Sequence, residues 1–291
     1  MNLKIMTFNV GLMRYRILWS TLFEFTPFIE RRLVKAAKYL KNLDADVICL
    51  QEVFYRKHQK YLIKKLAKKF PYFTTGAPMS HINVGSGLLT LSKYPIKTNE
   101  FYHFKTVGLD EKIFGRMGSL RSDIVIDMDS QFPIETTVFN THMTAGGIST
   151  NPESKSAEQI RHGQILELDR LVNQFEAMDK NIILSGDFNF GLQASKNNYD
   201  QMVSRGYFDV GHELSIEVTW DNKNHHNLNC IHSASPSQKI DHVFLGPKSK
   251  KRWSVHEAFV ALKENCVQIK KGLKVPISDH YAFMCTLSLN K

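Results

Sequence analysis

The sequence predicts an α/β fold in which two β-sheets pack together between flanking helices. Three observations lead there. Short apolar runs of strand character outnumber the helical stretches. Some consecutive strands are joined through helices and others only through turns, which fits mixed sheets better than a doubly wound parallel sheet. Finally, nearly every apolar run stops at an Asn, Asp, Glu or His.

The elements follow in order. Leu3–Val10 alternates like a strand. Pro27–Asn42 spaces its apolar residues for a helix, with Pro early and Asn at the end. Asp46–Gln51 is a short buried strand, and Tyr55–Phe70 a strongly basic amphipathic helix stopped by Pro71. Further strands are expected at Ser86–Ser92, Arg121–Met128, Ile134–Asn140, Asn181–Ser185, Ile240–Leu245 and Tyr281–Leu289. Glu153–Phe175 is the longest helical stretch, and Lys248–Arg252 reads as a solvated turn.

No repeat, low-complexity tract or Pro/Gly-rich linker divides the 291 residues, so residues 1–291 read as one domain. Hydrophobic residues at 43% and charged residues at 23% exclude a disordered or fibrous chain. A net charge of +10 favours polyanionic partners: nucleic acid, an anionic membrane surface or phosphorylated substrates. Cys49, Cys230, Cys266 and Cys285 lie far apart without a CxxC pair, against a disulfide framework or a zinc-thiolate site. No apolar run reaches the ~18 residues of a membrane span. The start, MNLKIMTFNVG, lacks a signal-peptide pattern. A cytoplasmic monomer is expected, with export only by a leaderless route.

The chemistry gathers at strand ends. TFNV ends with Asn9 near its close, LQEV offers Glu52, and VFNTHM offers Asn140 and His142. GDFN offers Asp187 and Asn189, KIDHVF offers Asp241, and SDHYA offers Asp279 and His280. Each alone has an ordinary reading as a turn cap or a hydrogen-bonded structural residue. Together, carboxylates, amides and two imidazoles on rigid strand ends can hold a hard divalent cation, magnesium, manganese or calcium, beside a phosphate ester. Phosphodiester hydrolysis needs an activated water, in-line positioning and neutralisation of charge on the phosphoryl oxygens. A histidine held by a carboxylate can act as base or acid near neutral pH.

The set TFNV, LQEV, SGLLTLSKYPI, FNTHM, SGDFN, KIDHVF and SDHYA resembles the exonuclease–endonuclease–phosphatase superfamily from the first strand to the last. The resemblance implies a four-layered α/β sandwich with two central mixed sheets and the active site at one end of them. It implies magnesium on Glu52, with Asn9 beside it and Asp279 in support. It also implies Asp187 and Asn189 orienting water and phosphate, His142 and His280 at the scissile phosphate, and Asp241 fixing the His280 tautomer. His280 would then serve as general base or orient the water, while Asp187 completes that task. Asn140 and one of Arg116 and Arg121 are the implied substrate contacts. Phe114–Arg121 (FGRMGSLR) departs from the family there, since a lysine-glycine step is commoner at that place.

Within the superfamily, PFIERRLVKAAKYLKNLDADVICLQEVF, the GSGLLTLSKYPI region and THMTAGG…SAEQIRHGQILEL are similar to the neutral sphingomyelinase branch. That implies a sphingomyelinase- or phospholipase C-like hydrolase working at a phospholipid surface. Leu12–Phe28, with Trp19, Phe23 and Phe25, is then a candidate interfacial segment, or else packs the first helix onto its sheet. The lysines of Arg56–Lys69 form a solvated face, or bind anionic lipid or a nucleic-acid backbone. His225 and His226 read as loop residues. Two competing functions stand beside the phospholipid phosphodiesterase: a magnesium-dependent nuclease on DNA or RNA, and an inactive binding module on the same fold.

Overall fold

Along Asn2–Asn9, alternate side chains enter two different cores, because successive residues of a strand point to opposite faces. Leu3 and Ile5 meet Cys49, Val138, Ile183, Val243 and Phe283 in one cluster. Met6 and Phe8 meet Leu33, Ala37, Leu62 and Leu66 of two helices in another. The same alternation divides Ile182 and Leu184 from Ile183, and Phe244 from Val243 and Leu245. A third cluster joins the second sheet to Ile165, Leu168, Val172 and Tyr199. Three cores between four layers make the helix–sheet–sheet–helix sandwich.

The computed structural model describes residues 1–17, 20–78, 85–126, 133–146, 152–212, 214, 218–228, 230 and 233–290, with backbone alone at 15–17, 20–23, 110, 113 and 114. Among these, one six-stranded sheet runs in the order Trp253–Ala261, Ala282–Leu289, Asn2–Asn9, Val47–Gln51, Leu89–Ser92, Tyr72–Thr75. The other runs Phe208–Asp209, Asp241–Leu245, Asn181–Asp187, Glu135–His142, Gly118–Val125, Ile96–His103. Each sheet has one parallel pair at its centre, Asn2–Asn9 with Val47–Gln51 and Glu135–His142 with Asn181–Asp187. Helices Ile29–Asn42 and Arg56–Leu66 cover the first sheet, and Lys155–Ala177 with Lys196–Ser204 the second.

The predicted two-sheet architecture agrees with this one, and the differences have simple causes. Ile96–His103 is an edge strand whose residues are largely exposed, so it carries no apolar run. Trp253–Ala261 is an edge strand whose first half is interrupted by the exposed Ser254, His256 and Glu257. The basic helix ends at Leu66 rather than Phe70, and the strand expected to begin at Arg121 begins at Gly118. Met128 and Trp19 lie outside the described residues. Leu12–Phe28 contains a two-stranded hairpin, Arg14–Ile17 with Ser20–Glu24. Lys248–Arg252 contains a 3-10 turn, Ser249–Arg252, whose buried Ser249 hydroxyl accepts from the Ile182 N–H and donates to Glu176 Oε1. The four cysteines are free, Cys49 and Cys285 within the sheets. No described helix is long and apolar enough to cross a membrane.

Next to the cleft strand Asp241–Leu245, a buried ion cluster fastens the second sheet. Lys239 Nζ donates to both Asp209 oxygens at 2.8 Å, and His242 Nδ1 lies 3.2 Å from the same carboxylate. Burial works against the Asp209 charge, but Lys239 and His242 outweigh it and hold this carboxylate far below the usual range. Replacing one member strands the other in a dry site. Lys239→Met is expected to cost about 3–5 kcal/mol of stability, measured by urea unfolding.

Candidate active site

Register brings the strand-end residues together. Asp187, the last residue of its strand, pairs directly with His142 on one side and Asp241 on the other. In the facing sheet Asn9 pairs with Gln51, which puts Glu52 one residue beyond the same edge. Because both central pairs are parallel, four strands end together there. The antiparallel strand Ala282–Leu289 starts at that edge, so Asp279 and His280 immediately precede it.

Asn9 bridges the sheets: its Nδ2 donates to Glu52 Oε1 at 3.2 Å and to Asp187 Oδ2 at 3.0 Å. His280 Nδ1 lies 2.9 Å from Asp241 Oδ2, which leaves its Nε2 3.7 Å from Asp187 Oδ2. His142 Nε2 approaches that oxygen from the other side at 3.6 Å. Asn189 follows at φ 54° and donates its Nδ2 to the Met143 carbonyl at 2.9 Å, while its backbone N–H donates to Asp187 Oδ1 at 3.0 Å. Glu52 itself has φ 60°, a left-handed conformation costly for a side chain of its kind, and it turns the carboxylate into the cleft.

Met13, Phe25, Phe54, Met117, Trp220 and Ile240 give this cleft apolar walls above a polar floor. Such walls make every charge on the floor costly. Burial, then the neighbouring Asp279 charge, pushes the Glu52 carboxyl up to about 8. Burial and the Asp241 charge raise Asp187 as well. Burial lowers His142 and so favours its neutral form. His280 goes the other way: burial opposes its charge, but Asp241 and Asp187 outweigh that and raise it well above an ordinary histidine. Asp279 is also shielded from burial's effect, by His280 and Arg32, and is lowered.

These groups fit a hard divalent cation. Glu52, Asp279 and Asp187 repel one another, and a positive ion relieves that repulsion. Asp187, Asp241 and His280 each offer one ligand atom, all within 4.8 Å of one another. Asp241 Oδ1 and His142 Nδ1 are buried without a hydrogen-bond partner among the described residues. The ligands are oxygen and imidazole nitrogen, a donor set for magnesium or manganese rather than for thiolate metals.

Of the sequence-derived residues, Asn9, Glu52, His142, Asp187, Asn189, Asp279 and His280 line the cleft, and Asp241 stands behind His280. Three substrate contacts do not come with them. Asn140 is fully buried between the sheets, with its amide donating to the Leu50 and Leu89 carbonyls and its Oδ1 accepting from Gln51. Arg121 is turned onto the outer face of its sheet, bonded to Asp123, Tyr102 and Thr98, with its guanidinium 4.4 Å from the Phe175 ring centre. Arg116 is exposed, between cleft residues Gly115 and Met117 but not lining the cleft itself. Phe25 supplies cleft wall, while the side chain of Phe23 lies outside the described residues.

Two buried arginines that set the loops were not foreseen. Arg32 donates to the carbonyls of Val10, Gly11, Thr26, Pro27 and Ile277, tying the segments that carry Asn9 and Asp279 to one helix. Arg161 donates to the carbonyls of Thr144 and Pro152, to Ser195 Oγ and to Asn198 Oδ1, tying the segments beyond His142. A signal existed: Arg32 shares helical spacing with buried Ile29, Leu33 and Ala36, and Arg161 with Ala157 and Ile165. His226 also belongs to the cleft wall, and Asn227 donates to the Asp279 carbonyl at 2.9 Å, although that stretch reads as plain loop.

Gly186 lets the GDFN strand sit close to its neighbour, since a Cβ there would lie 2.1 Å from the Thr141 carbonyl oxygen. Gly186→Ala must therefore push Asp187 away from His142. A shift near 1 Å is expected to cost about 10²-fold in kcat, with KM far less changed, by steady-state kinetics.

A sequence model of the endonuclease/exonuclease/phosphatase family matches residues 6–280. Over 171 residues the chain is 29% identical to an inositol phosphosphingolipids phospholipase C of Saccharomyces cerevisiae, covering 56% of this chain and 34% of the yeast protein. Over 178 residues it is 29% identical to a sphingomyelinase of Dictyostelium discoideum, covering 53% and 39% respectively. The chain thus spans well under half the length of these relatives. A magnesium-bound beta toxin of Staphylococcus aureus superposes with TM-score 0.72 at 19% identity, over 98% of this chain and 99% of the toxin. D. rerio TDP2 complexed with a single-strand DNA product gives 0.67 at 19% identity, over 99% of both chains. With strand-end residues, sandwich and family match in agreement, the chain belongs to the endonuclease/exonuclease/phosphatase family.

Proposed function

We propose that the protein is a divalent-metal-dependent phosphodiesterase that cleaves a sphingolipid or related phospholipid and releases its phosphorylated headgroup. The observation that carries the reading is Asp187, flanked by His142 at 3.6 Å and His280 at 3.7 Å and bridged to Glu52 through Asn9, in a cleft with apolar walls. The floor suits a phosphodiester and the walls suit the apolar part of a lipid. The sphingomyelinase and the phosphosphingolipid phospholipase C among its relatives support the same substrate class.

Glu52, with Asn9 and Asp279 around it, would hold magnesium. Bound there, magnesium supplies Lewis-acid stabilisation of charge on the phosphoryl oxygens. The protein's own groups then divide the proton work. Asp187, made more basic by burial and by Asp241, accepts a proton from the attacking water. His280, charged beside Asp241, gives its Nε2 proton to the leaving lipid oxygen as the P–O bond breaks, rather than serving as the base. Neutral His142 hydrogen-bonds on the opposite side. Asn189 is held by Met143 and orients the phosphate.

A nuclease is the second reading, favoured by the net charge of +10 and by the likeness to the TDP2–DNA complex. Sphingomyelin liposomes, inositol-phosphate sphingolipid liposomes and plasmid DNA, assayed in parallel with magnesium, separate the two. Headgroup release from liposomes, absent with EDTA and in Glu52→Ala, is the expected result. Cut DNA with intact lipid would replace the substrate, and no hydrolysis of any of these would leave the inactive-module reading.

A further inference from the structure

The charge of this protein is not spread over its surface. Residues 29–42, 55–70 and 266–274 hold 15 Lys and Arg against a single acid, Glu30, a net +14. The rest of the chain holds 23 against 27, a net −4. These three stretches form one outer layer. Helix Ile29–Asn42 packs beside helix Arg56–Leu66, joined at their starts by the Lys57–Glu30 ion pair at 2.9 Å. On its other flank lies the hairpin Cys266–Lys270 with Leu273–Pro276. Arg31 donates to the Ile269 carbonyl, Tyr39 donates to that of Cys266 at 3.3 Å, and Ile269 and Leu273 seat the hairpin on the core of the same layer.

The cations face outward in stripes. Arg31, Lys35, Lys38 and Lys41 recur at three- and four-residue spacing on the first helix, and Lys57, Lys60, Lys64 and Lys68 on the second. Lys270, Lys271 and Lys274 are exposed on the hairpin. Among the described residues, Lys57 is the one cation of the layer in an ion pair with an acid. Arg32 is buried on backbone carbonyls and Lys69 bonds the Lys41 and Leu43 carbonyls, while the other lysines of the stripes lie at the surface without a paired acid. Concentrating like charge in this way costs self-repulsion, which an anionic partner removes.

We infer that this layer is a docking surface for a bilayer containing anionic phospholipid. Sequence-tolerant binding of a nucleic-acid strand relies on exposed aromatic platforms. No described aromatic side chain of the three stretches is exposed, and Tyr61 lies half-buried with Lys65 Nζ 5.6 Å from its ring centre. Headgroup phosphates need only a broad face of long flexible cations, which this layer offers. Both helices also begin at the cleft end: Arg32 grips Val10 and Gly11 beside Asn9, and Arg56 follows Glu52 by four residues. The cleft therefore lies at one end of the docking layer. The inference does not depend on the catalytic reading, because none of these lysines lines the cleft.

The test is co-sedimentation of the full chain with phosphatidylcholine vesicles, with and without phosphatidylserine, across a salt series. Binding is expected only with phosphatidylserine and to fall as salt rises. Lys60→Gln/Lys64→Gln/Lys68→Gln, and separately Lys270→Gln/Lys271→Gln/Lys274→Gln, should each lower the partition coefficient by about 100-fold. Both should keep the wild-type melting temperature. Glu52→Gln should bind vesicles as wild type does, whatever the substrate proves to be. Equal binding to neutral vesicles, or triple variants that bind normally, would overturn the inference. A preference for duplex DNA over anionic vesicles, lost in the same variants, would transfer the surface to nucleic acid and overturn it too.

Discussion

Glu52→Gln is expected to lower kcat by at least ~10³-fold, equivalent to about 4 kcal/mol of transition-state stabilisation. It should also abolish magnesium binding at that end of the cleft, measured by isothermal titration calorimetry. The same substitution should stabilise the metal-free protein. The folded-state pKa of Glu52 is about 8, above the carboxylate's ordinary 4.5, so the folded protein holds a proton that the unfolded chain has lost. Stability then falls as pH rises between those values. In EDTA the variant should melt higher than wild type at pH 8, and the gap should close as pH falls toward 5. Magnesium should raise the wild-type melting temperature and leave the variant unmoved. An active variant, or one that melts lower at alkaline pH, would remove Glu52 from the metal and from its strained place in the cleft.

The second large effect belongs to the Asp241–His280 pair. His280→Ala should cost about 10²–10⁴-fold in kcat, the usual range for a group that moves a proton in the transition state. Asp241→Asn keeps the shape of the pair but removes the charge that outweighs burial and raises His280. A histidine with a raised folded pKa gives stability that is full below its unfolded pKa and lost as pH rises through the folded one. Asp241→Asn should lose that contribution at and below neutrality. In the rate profile, the alkaline limb should move to lower pH, because His280 sheds its proton sooner. A limb that stays in place would assign it to another group, and a normal rate in His280→Ala would end the proton-donor role.

The central strands were legible because they are buried on both faces. Val47–Gln51 is apolar enough to mark itself, and Asn9, Glu52, Asp187 and Asp279 stand out as polar interruptions at such runs. The edge strand Ile96–His103 left no such mark, since most of its side chains are exposed. Side-chain direction was equally hidden. Asn140 and His142 sit two residues apart on one strand, yet Asn140 is tied to Leu50 and Leu89 across the sheet interface while His142 reaches the open end. Arg121, a candidate substrate contact by its place in the sequence, is held by Asp123 and Phe175.

What the sequence by itself determined is local: alternation, helical spacing, and the kinds of polar group at each strand end. Those follow from residue chemistry and the two backbone periods. Tertiary structure alone decided which of these groups meet. Pairing of Asp187 with His142 and Asp241 depends on strand register, and its link to Glu52 depends on how two sheets stack around Asn9. The charges inherit that dependence. Two carboxylates, Glu52 and Asp187, and one histidine, His280, are raised only because burial and neighbours, both products of long-range packing, set the local cost of charge.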